Sequence, residues 1–230
     1  MSGRYSCTKT KEKIEVRFNV KFSEDWKPRY NIAPNQDVPI ITNKNKEAIS
    51  IARWGLIPSW SLNDATGINL INAKSETILS RAPFKQLIYS NRCLILADGF
   101  YEWQNTGKKK SPFRFTLNND EAFAFAGLWD AWDNGEDIIN SFTIITTTAN
   151  SLVKNIHERM PVILPADLEK DWLRDDLSNT EINNFLQPFQ SDKMASYPVH
   201  RAVNSTTTDT LECIQVAPKI YPGETFSLFE

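Results

Sequence analysis

Short apolar runs, each bounded by glycine, proline, asparagine or aspartate, constrain the fold of this chain more than any other feature. Each run has the length of a β-strand, and the bounding residues are those that form turns. Many short strands separated by turns are typical of a mostly antiparallel sheet or barrel. The runs lie at Val38–Ile41, Ile49–Arg53, Leu94–Leu96, Phe113–Leu117, Phe123–Leu128 and Phe142–Thr147.

Helical patterns are fewer and are expected to decorate the sheet. Asp167 and Glu169 stand near the start of one of them, where acidic residues complement the helix dipole. In another, Thr180 is expected to cap the start with Glu181 behind it. The three patterns lie at Pro83–Tyr89, Pro165–Arg174 and Thr180–Leu186. We therefore predict an α+β fold, a curved, barrel-like, mostly antiparallel β-sheet with peripheral helices.

Residues 11–22 fit two patterns at once. Alternate residues from Ile14 to Phe22 are apolar, as in a strand that is buried on one face. Ile14, Phe18 and Phe22 also fall on one face of a helix. The lysines and glutamates between these apolar positions favour the helix.

The polar stretches are too short to divide the chain into separate domains. The longest insertions, Gln104–Ser111 and Asp133–Asp137, are predicted to be hairpin loops, and Asn204–Asp209 a solvated turn. With 230 residues, of which 41% are hydrophobic, the chain can bury one substantial core. We predict a single domain over residues 1–230.

Composition narrows the class of protein without identifying a partner. No stretch reaches the roughly 18 apolar residues of a membrane span, and the first residues are polar, so we expect a cytoplasmic protein without a membrane segment. The net charge of -2 argues against overall attraction to nucleic acid, although a local basic groove remains compatible with it. Cys7, Cys93 and Cys213 are widely spaced and odd in number, which predicts neither disulfides nor a metal site. No cofactor is expected.

Three polar residues stand out as candidates for chemistry. His157 follows an apolar run in a predicted strand-end loop, where catalytic groups are common, but it also fits a surface or packing role. Glu102 is surrounded by aromatic residues that would raise its pKa, or it points to solvent from an edge strand. Asn72 could position a ligand by hydrogen bonding, or serve only as a turn residue.

The start of the chain offers a possible nucleophile. Ser2 follows Met1, and an initiator methionine is usually removed before a small residue. The α-amine that this exposes has a pKa near 7.8, against about 10.4 for lysine, so far more of it is neutral at pH 7. Such an amine is ready to attack an aldehyde, although most chains that begin in this way use it for nothing.

Six blocks occur in one order and together resemble the SRAP family, the SOS response-associated peptidase fold whose members process abasic sites in single-stranded DNA. The resemblance extends from residue 3 to about residue 203. The blocks are Gly3-Arg4-Tyr5, Arg29-Tyr30-Asn31-Ile32-Ala33-Pro34, Arg53-Trp54-Gly55-Leu56-Ile57-Pro58-Ser59-Trp60, Ile71-Asn72-Ala73-Lys74-Ser75-Glu76-Thr77, Asp98-Gly99-Phe100-Tyr101-Glu102-Trp103 and His157-Glu158-Arg159-Met160-Pro161.

The resemblance implies a catalytic set of Ser2, Asn72, Glu102 and His157. In the family an N-terminal cysteine attacks the sugar aldehyde and closes to a thiazolidine; here Ser2 stands in its place, compatible with a natural variant or a deliberate replacement. Its hydroxyl is a far weaker nucleophile than a thiol, but the α-amine is unchanged. By resemblance, Asn72 holds the N-terminal residue and the opened sugar, Glu102 is a general acid or base, and His157 shuttles a proton.

The resemblance also implies a DNA-binding surface. Four basic residues are candidates for phosphate contacts, and Lys74 among them stands where an arginine is common in relatives. Trp60 could stack on a base or pack in the core, and core packing is the expectation for Trp54. The basic candidates are Arg4, Lys74, Arg81 and Arg159.

Three functions follow as hypotheses. The first is an abasic-site processing enzyme that acts on single-stranded DNA as a monomer. The second is a non-covalent single-stranded nucleic-acid binding module, whose affinity would be equal for intact and abasic strands and would fall with salt. The third is an N-terminal-nucleophile peptidase whose target is its own initiator methionine.

Overall fold

The computed structural model describes residues 3–22, 25–105, 107 and 110–217. Strands are the commonest regular element in this part of the chain, and turns and 3-10 segments join them. The strands are β1 Tyr5–Cys7, β2 Arg29–Ile32, β3 Asp37–Thr42, β4 Asn45–Trp54, β5 Asn72–Lys74, β6 Arg92–Ala97, β7 Gly99–Asn105, β8 Lys110–Leu117, β9 Phe123–Asp133, β10 Ile138–Thr148, β11 Arg159–Pro161, β12 Ile163–Leu164 and β13 Met194–Pro198. The helices are α1 Lys11–Phe18, α2 Phe84–Ser90, α3 Glu169–Trp172 and α4 Asn179–Phe185.

Five strands close into a barrel. β10 pairs with β4, β4 with β3, β3 with β6, β6 with β9, and β9 returns to β10. Four of these pairs are antiparallel, and only β4 and β10 run parallel, with Ser141 opposite Arg53. Closure leaves no free edge in the ring. The prediction of an α+β fold on a barrel-like, mostly antiparallel sheet is confirmed, and all six apolar runs lie within strands of the two sheets.

A second sheet, in the order β13-β8-β7-β1-β2, packs against the barrel through aromatic side chains. The Tyr5 ring lies 5.2 Å from Trp54 and 5.7 Å from Phe125, centroid to centroid. Phe100, opposite Tyr5 in the β1–β7 pair, packs edge-on against Phe125 at 6.3 Å. These contacts fix the first strand of the chain against the barrel core.

A buried ion pair ties β1 to its neighbours in the second sheet. Arg114 on β8 donates to Asp98 at 2.9 Å, and Ser6 on β1 donates to the same carboxylate at 2.7 Å. Asp98 also accepts from the backbone of Thr8 at 2.6 Å. Gly99 is required beside them, because a Cβ there would stand 2.6 Å from Arg114 Nε. Removing one charge would leave the other buried and uncompensated.

The helix predicted within residues 11–22 forms but is shorter than the apolar pattern. α1 ends at Phe18, because Asn19 adopts a left-handed conformation with φ of 53° and its N–H bonds back to Glu15 O. Lys21 then forms an isolated parallel bridge with Ala48 on β4. Residues 11–18 therefore follow the helical pattern, and Lys21 connects the end of the segment to the sheet.

Two details of the remaining helices differ from the sequence predictions. The helix predicted at Pro165–Arg174 contracts to the four residues of α3, because its first residues form a turn in which Leu168 N donates to Pro165 O at 2.9 Å. At the other end, the Arg92 guanidinium donates to the carbonyl oxygens of Trp172 and Arg174. The predicted cap at Thr180 was wrong. Ser178 is the cap, since its hydroxyl accepts from Glu181 N while the Glu181 carboxylate accepts from Ser178 N.

Both predicted hairpins are present, but the predicted solvated turn is wrong at its end. β9 and β10 are joined through Asp133–Asp137, whereas β7 and β8 run on to the pair Asn105–Lys110, so their loop is shorter than predicted. In the stretch Asn204–Asp209, residues 204–207 are exposed, but Asp209 is half-buried and accepts two backbone N–H bonds.

Among the described residues, none of the helices has the length and apolar character that crossing a bilayer requires. The three cysteines are buried free thiols. Within the same residues, no three His, Cys, Asp or Glu side chains gather as a metal site would require.

Candidate active site

Two short strands bring Asn72 and Arg159 to the same part of β10. β5 runs parallel to β10, with Asn72 opposite Ile144 and Lys74 opposite Thr146. β11 pairs with the end of β10 from the other side, with Arg159 opposite Thr148. The end of β10 therefore carries the Asn72 and Arg159 blocks on its two edges, although 87 residues separate them in the chain.

Arg159 is held by a carboxylate that the sequence predictions did not include. Its two terminal nitrogens donate to the oxygens of Glu76 at 2.5 and 3.0 Å, and Nη2 also donates to Thr146 O at 2.6 Å. The hydrogen bond from Arg159 holds the pKa of the Glu76 carboxyl below its usual value. The fork of Arg159 is thus fixed in direction, and the nearby Lys74 side chain is exposed.

The backbone of Arg159 holds one ring nitrogen of His157 in place. The side chain is half-buried, and its Nδ1 accepts a hydrogen bond of 3.0 Å from the backbone N–H of Arg159. Nδ1 also lies 3.1 Å from the carbonyl oxygen of Arg159, so the backbone of Arg159 holds this nitrogen whichever ring nitrogen carries the proton.

Glu102 lies on β7, buried and only 4% exposed. It stands opposite Phe113 of β8, and the other neighbour of β7 is β1. Tyr101 N donates to Arg4 O at 3.1 Å, continuing the register in which Tyr5 is opposite Phe100. Carried one residue further, this register sets Gly3 alongside Glu102. Ser2 itself lies outside the described residues.

The packing of Trp54 connects the start of the chain to Asn72. Tyr5 stacks edge-on against Trp54, whose Nε1 donates to Ile71 O at 2.9 Å. Ile71 directly precedes Asn72, so one buried indole supports both the first strand and β5. The prediction that Trp54 packs in the core is confirmed, since its side chain has no exposed surface.

Trp60 and Arg81 both lie on the surface of the molecule. Trp60 is 66% exposed on a loop whose backbone is anchored on both sides. Ser59 N donates to Asp130 at 2.7 Å, and Trp132 Nε1 donates to Ser61 O at 2.7 Å. Arg81 is exposed shortly before α2.

The contacts of Arg4 are within the chain. Its guanidinium donates to Asn31 Oδ1 at 3.1 Å and to Val203 O at 2.6 Å. It also lies 6.0 Å from the centre of the Trp103 ring. Sequence reasoning did not single out Asn31, and the only available signal was its place in a block shared with the family.

Cys7 cannot replace Ser2 as a nucleophile in this fold. It has no exposed surface in the first strand of the chain, and burial raises the pKa of its thiol well above the usual value. A buried, protonated thiol without an adjoining α-amine is inert towards an aldehyde.

Comparison with known proteins identifies the family of this chain. The family model described as SOS response associated peptidase (SRAP) matches residues 1–206. The chain belongs to the SRAP family. This SRAP protein is 37% identical over 222 residues to the abasic site processing protein YoqW of Bacillus subtilis strain 168, covering 94% of this chain and 99% of that protein.

A relative from another organism and a solved structure are also similar to this chain. The abasic site processing protein HMCES of Gallus gallus is 32% identical to this SRAP protein, covering 82% of this chain and 66% of that protein. A crystal structure of a protein from Bacteroides thetaiotaomicron superposes with a TM-score of 0.85 at 26% identity, covering 94% of this chain and 99% of that one.

Proposed function

We propose that this SRAP protein processes abasic sites in single-stranded DNA through the α-amine of Ser2, after removal of Met1. The observation that carries the proposal is the hydrogen bond from Tyr101 N to Arg4 O, which runs the start of the chain along the strand that holds buried Glu102. The names of the curated relatives, abasic site processing proteins, support the same substrate.

The proposed reaction begins at the sugar aldehyde. The neutral amine adds to the aldehyde carbon of the ring-opened deoxyribose, and the resulting carbinolamine loses water to form an imine. Removal of a proton from C2′ then expels the 3′-phosphate by β-elimination and cleaves the strand. Hydrolysis of the imine returns the amine and releases an unsaturated aldehyde.

Three side chains would assist these proton transfers. Glu102 protonates the sugar oxygen as the ring opens and accepts a proton later, and His157 gives and takes a proton. Asn72 holds the opened sugar by hydrogen bonding. Positioned acids and bases of this kind contribute on the order of 10² to 10⁴ in rate.

The hydroxyl of Ser2 offers a second, reversible closure of the adduct. It can add to the imine carbon and pass its proton to nitrogen, which closes a five-membered oxazolidine. An alcohol is a weaker nucleophile than a thiol, so this ring forms more slowly and opens more readily than the thiazolidine of a cysteine. We therefore propose transient capture rather than a durable crosslink.

The DNA strand would follow the surface around the end of β10 and the turn after β5. Lys74 and Arg159 flank the end of β10, and Arg81 follows the turn after β5. We propose that their charges contact phosphates and that Trp60 stacks on a base. A local basic surface of this kind is compatible with the acidic net charge of the whole chain.

Trapping the imine tests the proposal directly. Protein whose intact mass shows loss of Met1 is mixed with a single-stranded abasic oligonucleotide and borohydride, which reduces an imine to a stable amine. We expect a covalent adduct whose rate of formation rises with pH as the α-amine loses its proton, up to a pKa near 7.8. Acetylation of the α-amine should abolish it; an undiminished adduct after acetylation would reject the role of Ser2.

Replacing Trp60 tests the stacking surface. Because its indole is 66% exposed, Trp60→Ala should leave the fold intact while weakening single-stranded DNA binding roughly 5- to 150-fold, the loss of about 1 to 3 kcal/mol of stacking. Leu62→Ala is the matched control, since Leu62 is 97% exposed on the same loop but has no ring. Fluorescence anisotropy with a labelled strand measures both, and equal affinities would remove Trp60 from the interface.

The second candidate function, a non-covalent binding module for single-stranded nucleic acid, makes the opposite prediction for the same protein and oligonucleotides. It requires equal affinity for intact and abasic strands and no adduct with borohydride. A marked preference for the abasic strand decides against it.

A further inference from the structure

We propose that Arg4 is a positioning residue for the amine of Ser2, held in place by the segment Val199–Ala217, which we call the clasp. The inference rests on the proposed function, because it assigns to the clasp the task of holding the start of the chain beside Glu102. It also gives Arg4 a role other than the phosphate contact that the family resemblance implies.

Both the backbone and the side chain of Arg4 are fixed. Its carbonyl oxygen accepts from Tyr101 N at 3.1 Å. Its guanidinium reaches over the clasp, donating to Val203 O at 2.6 Å and to Asn204 O at 3.4 Å. Arg4 stands two residues after Ser2, so the path available to the α-amine is set largely by where Arg4 is held.

Asn31 on β2 connects Arg4 to the clasp through hydrogen bonds. Its side chain is fully buried, and Oδ1 accepts from Arg4. Its amide nitrogen shares two N–H groups among three clasp carbonyls, those of Val203 at 3.2 Å, Ser205 at 2.8 Å and Thr208 at 2.7 Å. One side chain thus bonds to Arg4 and to the same carbonyl that Arg4 itself contacts.

Asp209 anchors the clasp to β2, an edge strand of the second sheet. Its carboxylate accepts from the backbone N–H groups of Tyr30 at 2.5 Å and Asn31 at 2.9 Å, and it forms an ion pair with Arg29. Two main-chain donors and a guanidinium hold this carboxylate strongly. The anchor lies on β2, the strand next to β1, so it fixes the clasp relative to the strand that follows Arg4.

An apolar cluster closes the other side of the clasp. Val199, Val203 and Cys213 are buried against Tyr101 of β7, and Trp103 Nε1 donates to Asn204 Oδ1 at 2.7 Å. Tyr101 and Trp103 are the two neighbours of Glu102 in the chain. The clasp therefore contacts β7 on both sides of Glu102, as well as Arg4.

This arrangement predicts the kind of defect that loosening the clasp would cause. A phosphate contact contributes to DNA affinity and to its dependence on salt. A positioning residue contributes to the rate at which bound substrate reacts, since misplacing a reacting group by even about 1 Å costs up to roughly 10² in rate. The two roles are separable by measuring the saturating rate and the affinity independently.

The experiment compares Arg4→Lys, which keeps the charge but loses the fork, with Asp209→Asn, which releases the anchor. Both are mixed with an abasic oligonucleotide and borohydride under single-turnover conditions. We expect the saturating rate of adduct formation to fall about tenfold in each, with the half-saturating DNA concentration and the salt slope unchanged. Thr206→Ala, an exposed residue of the clasp, is the control and should react like the parent protein.

Other outcomes are decisive in the opposite direction. If both variants react like Thr206→Ala, or if Arg4→Lys loses affinity and lowers the salt slope, the positioning role is overturned. Arg4→Lys leaves Asp209 in place and answers the question should Asp209→Asn fail to fold.

If the parent protein forms no adduct, the proposed function fails. Amide hydrogen exchange of residues 3–7 then tests separately whether the clasp holds the start of the chain in place. Faster exchange in Asp209→Asn than in Thr206→Ala supports it. Equal exchange overturns it.

Discussion

Replacing Ser2 with cysteine is expected to turn a transient adduct into a crosslink that survives denaturing electrophoresis. A thiol with a pKa near 8.5 is a few per cent thiolate at neutral pH, whereas a serine hydroxyl is essentially never ionised unaided. Addition of the thiol to the imine closes a thiazolidine, which opens far more slowly than an oxazolidine. We expect the lifetime of the adduct to rise by a factor on the order of 10² or more, as a shifted band without borohydride.

Ser2→Ala is the matched control for this crosslink. It keeps the α-amine but has no side-chain nucleophile, so it should give the borohydride-trapped adduct and no band without it. Cys7 adds no background, because it is buried with a raised thiol pKa. A Ser2→Cys variant that has lost Met1 and still gives no band on abasic single-stranded DNA would contradict the proposed reaction.

Replacing Glu102 with glutamine is expected to have the largest effect on the rate of capture. The amide has nearly the shape of the carboxylate, so the buried side chain keeps its volume but can no longer exchange a proton. We expect the single-turnover rate of imine formation to fall by about 10² to 10⁴, with DNA affinity unchanged. Borohydride trapping and anisotropy measure the two quantities separately.

Glu136→Gln provides the matched control, because this glutamate is exposed in the β9–β10 hairpin loop. Thermal unfolding of both variants establishes that the fold is intact. If Glu102→Gln captured abasic DNA at the parental rate, Glu102 would be a structural residue of β7, and the proton would have to come from His157 or water.

The apolar runs predicted the strands of the barrel well, because a strand buried on both faces shows its burial in its own composition. β1 and β2 were missed for the opposite reason. Tyr-Ser-Cys and Arg-Tyr-Asn-Ile are short and mixed in polarity, and they form strands only because β7 and each other supply their hydrogen bonds. Such pairing partners are distant in sequence and leave no local signal.

Local patterns located the helices better than their ends. The apolar spacing of residues 11–22 was compatible with one long helix, yet Asn19 ends it at Phe18. The last carbonyl of α3 accepts a hydrogen bond from Arg92, which comes from another part of the chain. Ends of this kind depend on tertiary contacts, which propensity and periodicity do not contain.

In the candidate site, too, the sequence predicted residues but not the contacts that hold them. Asn72, Glu102 and His157 were singled out from their sequence segments and Ser2 from its place after Met1, and their catalytic roles stay predictions. The partners of the cations were not foreseeable, since Glu76 lies 83 residues from Arg159 and Val203 lies 199 residues from Arg4.

The amino-acid sequence was sufficient to predict the family and the α+β barrel-like sheet, and to single out the residues whose catalytic roles stay predictions. These properties follow from local composition, spacing and ordered blocks, all of which are properties of the chain before it folds. Tertiary structure alone decided that Glu76 holds Arg159 and that Asn31 and Asp209 hold the clasp against Arg4. The physical reason is that hydrogen bonds and ion pairs depend on distance in space, which only the closed arrangement of both sheets sets.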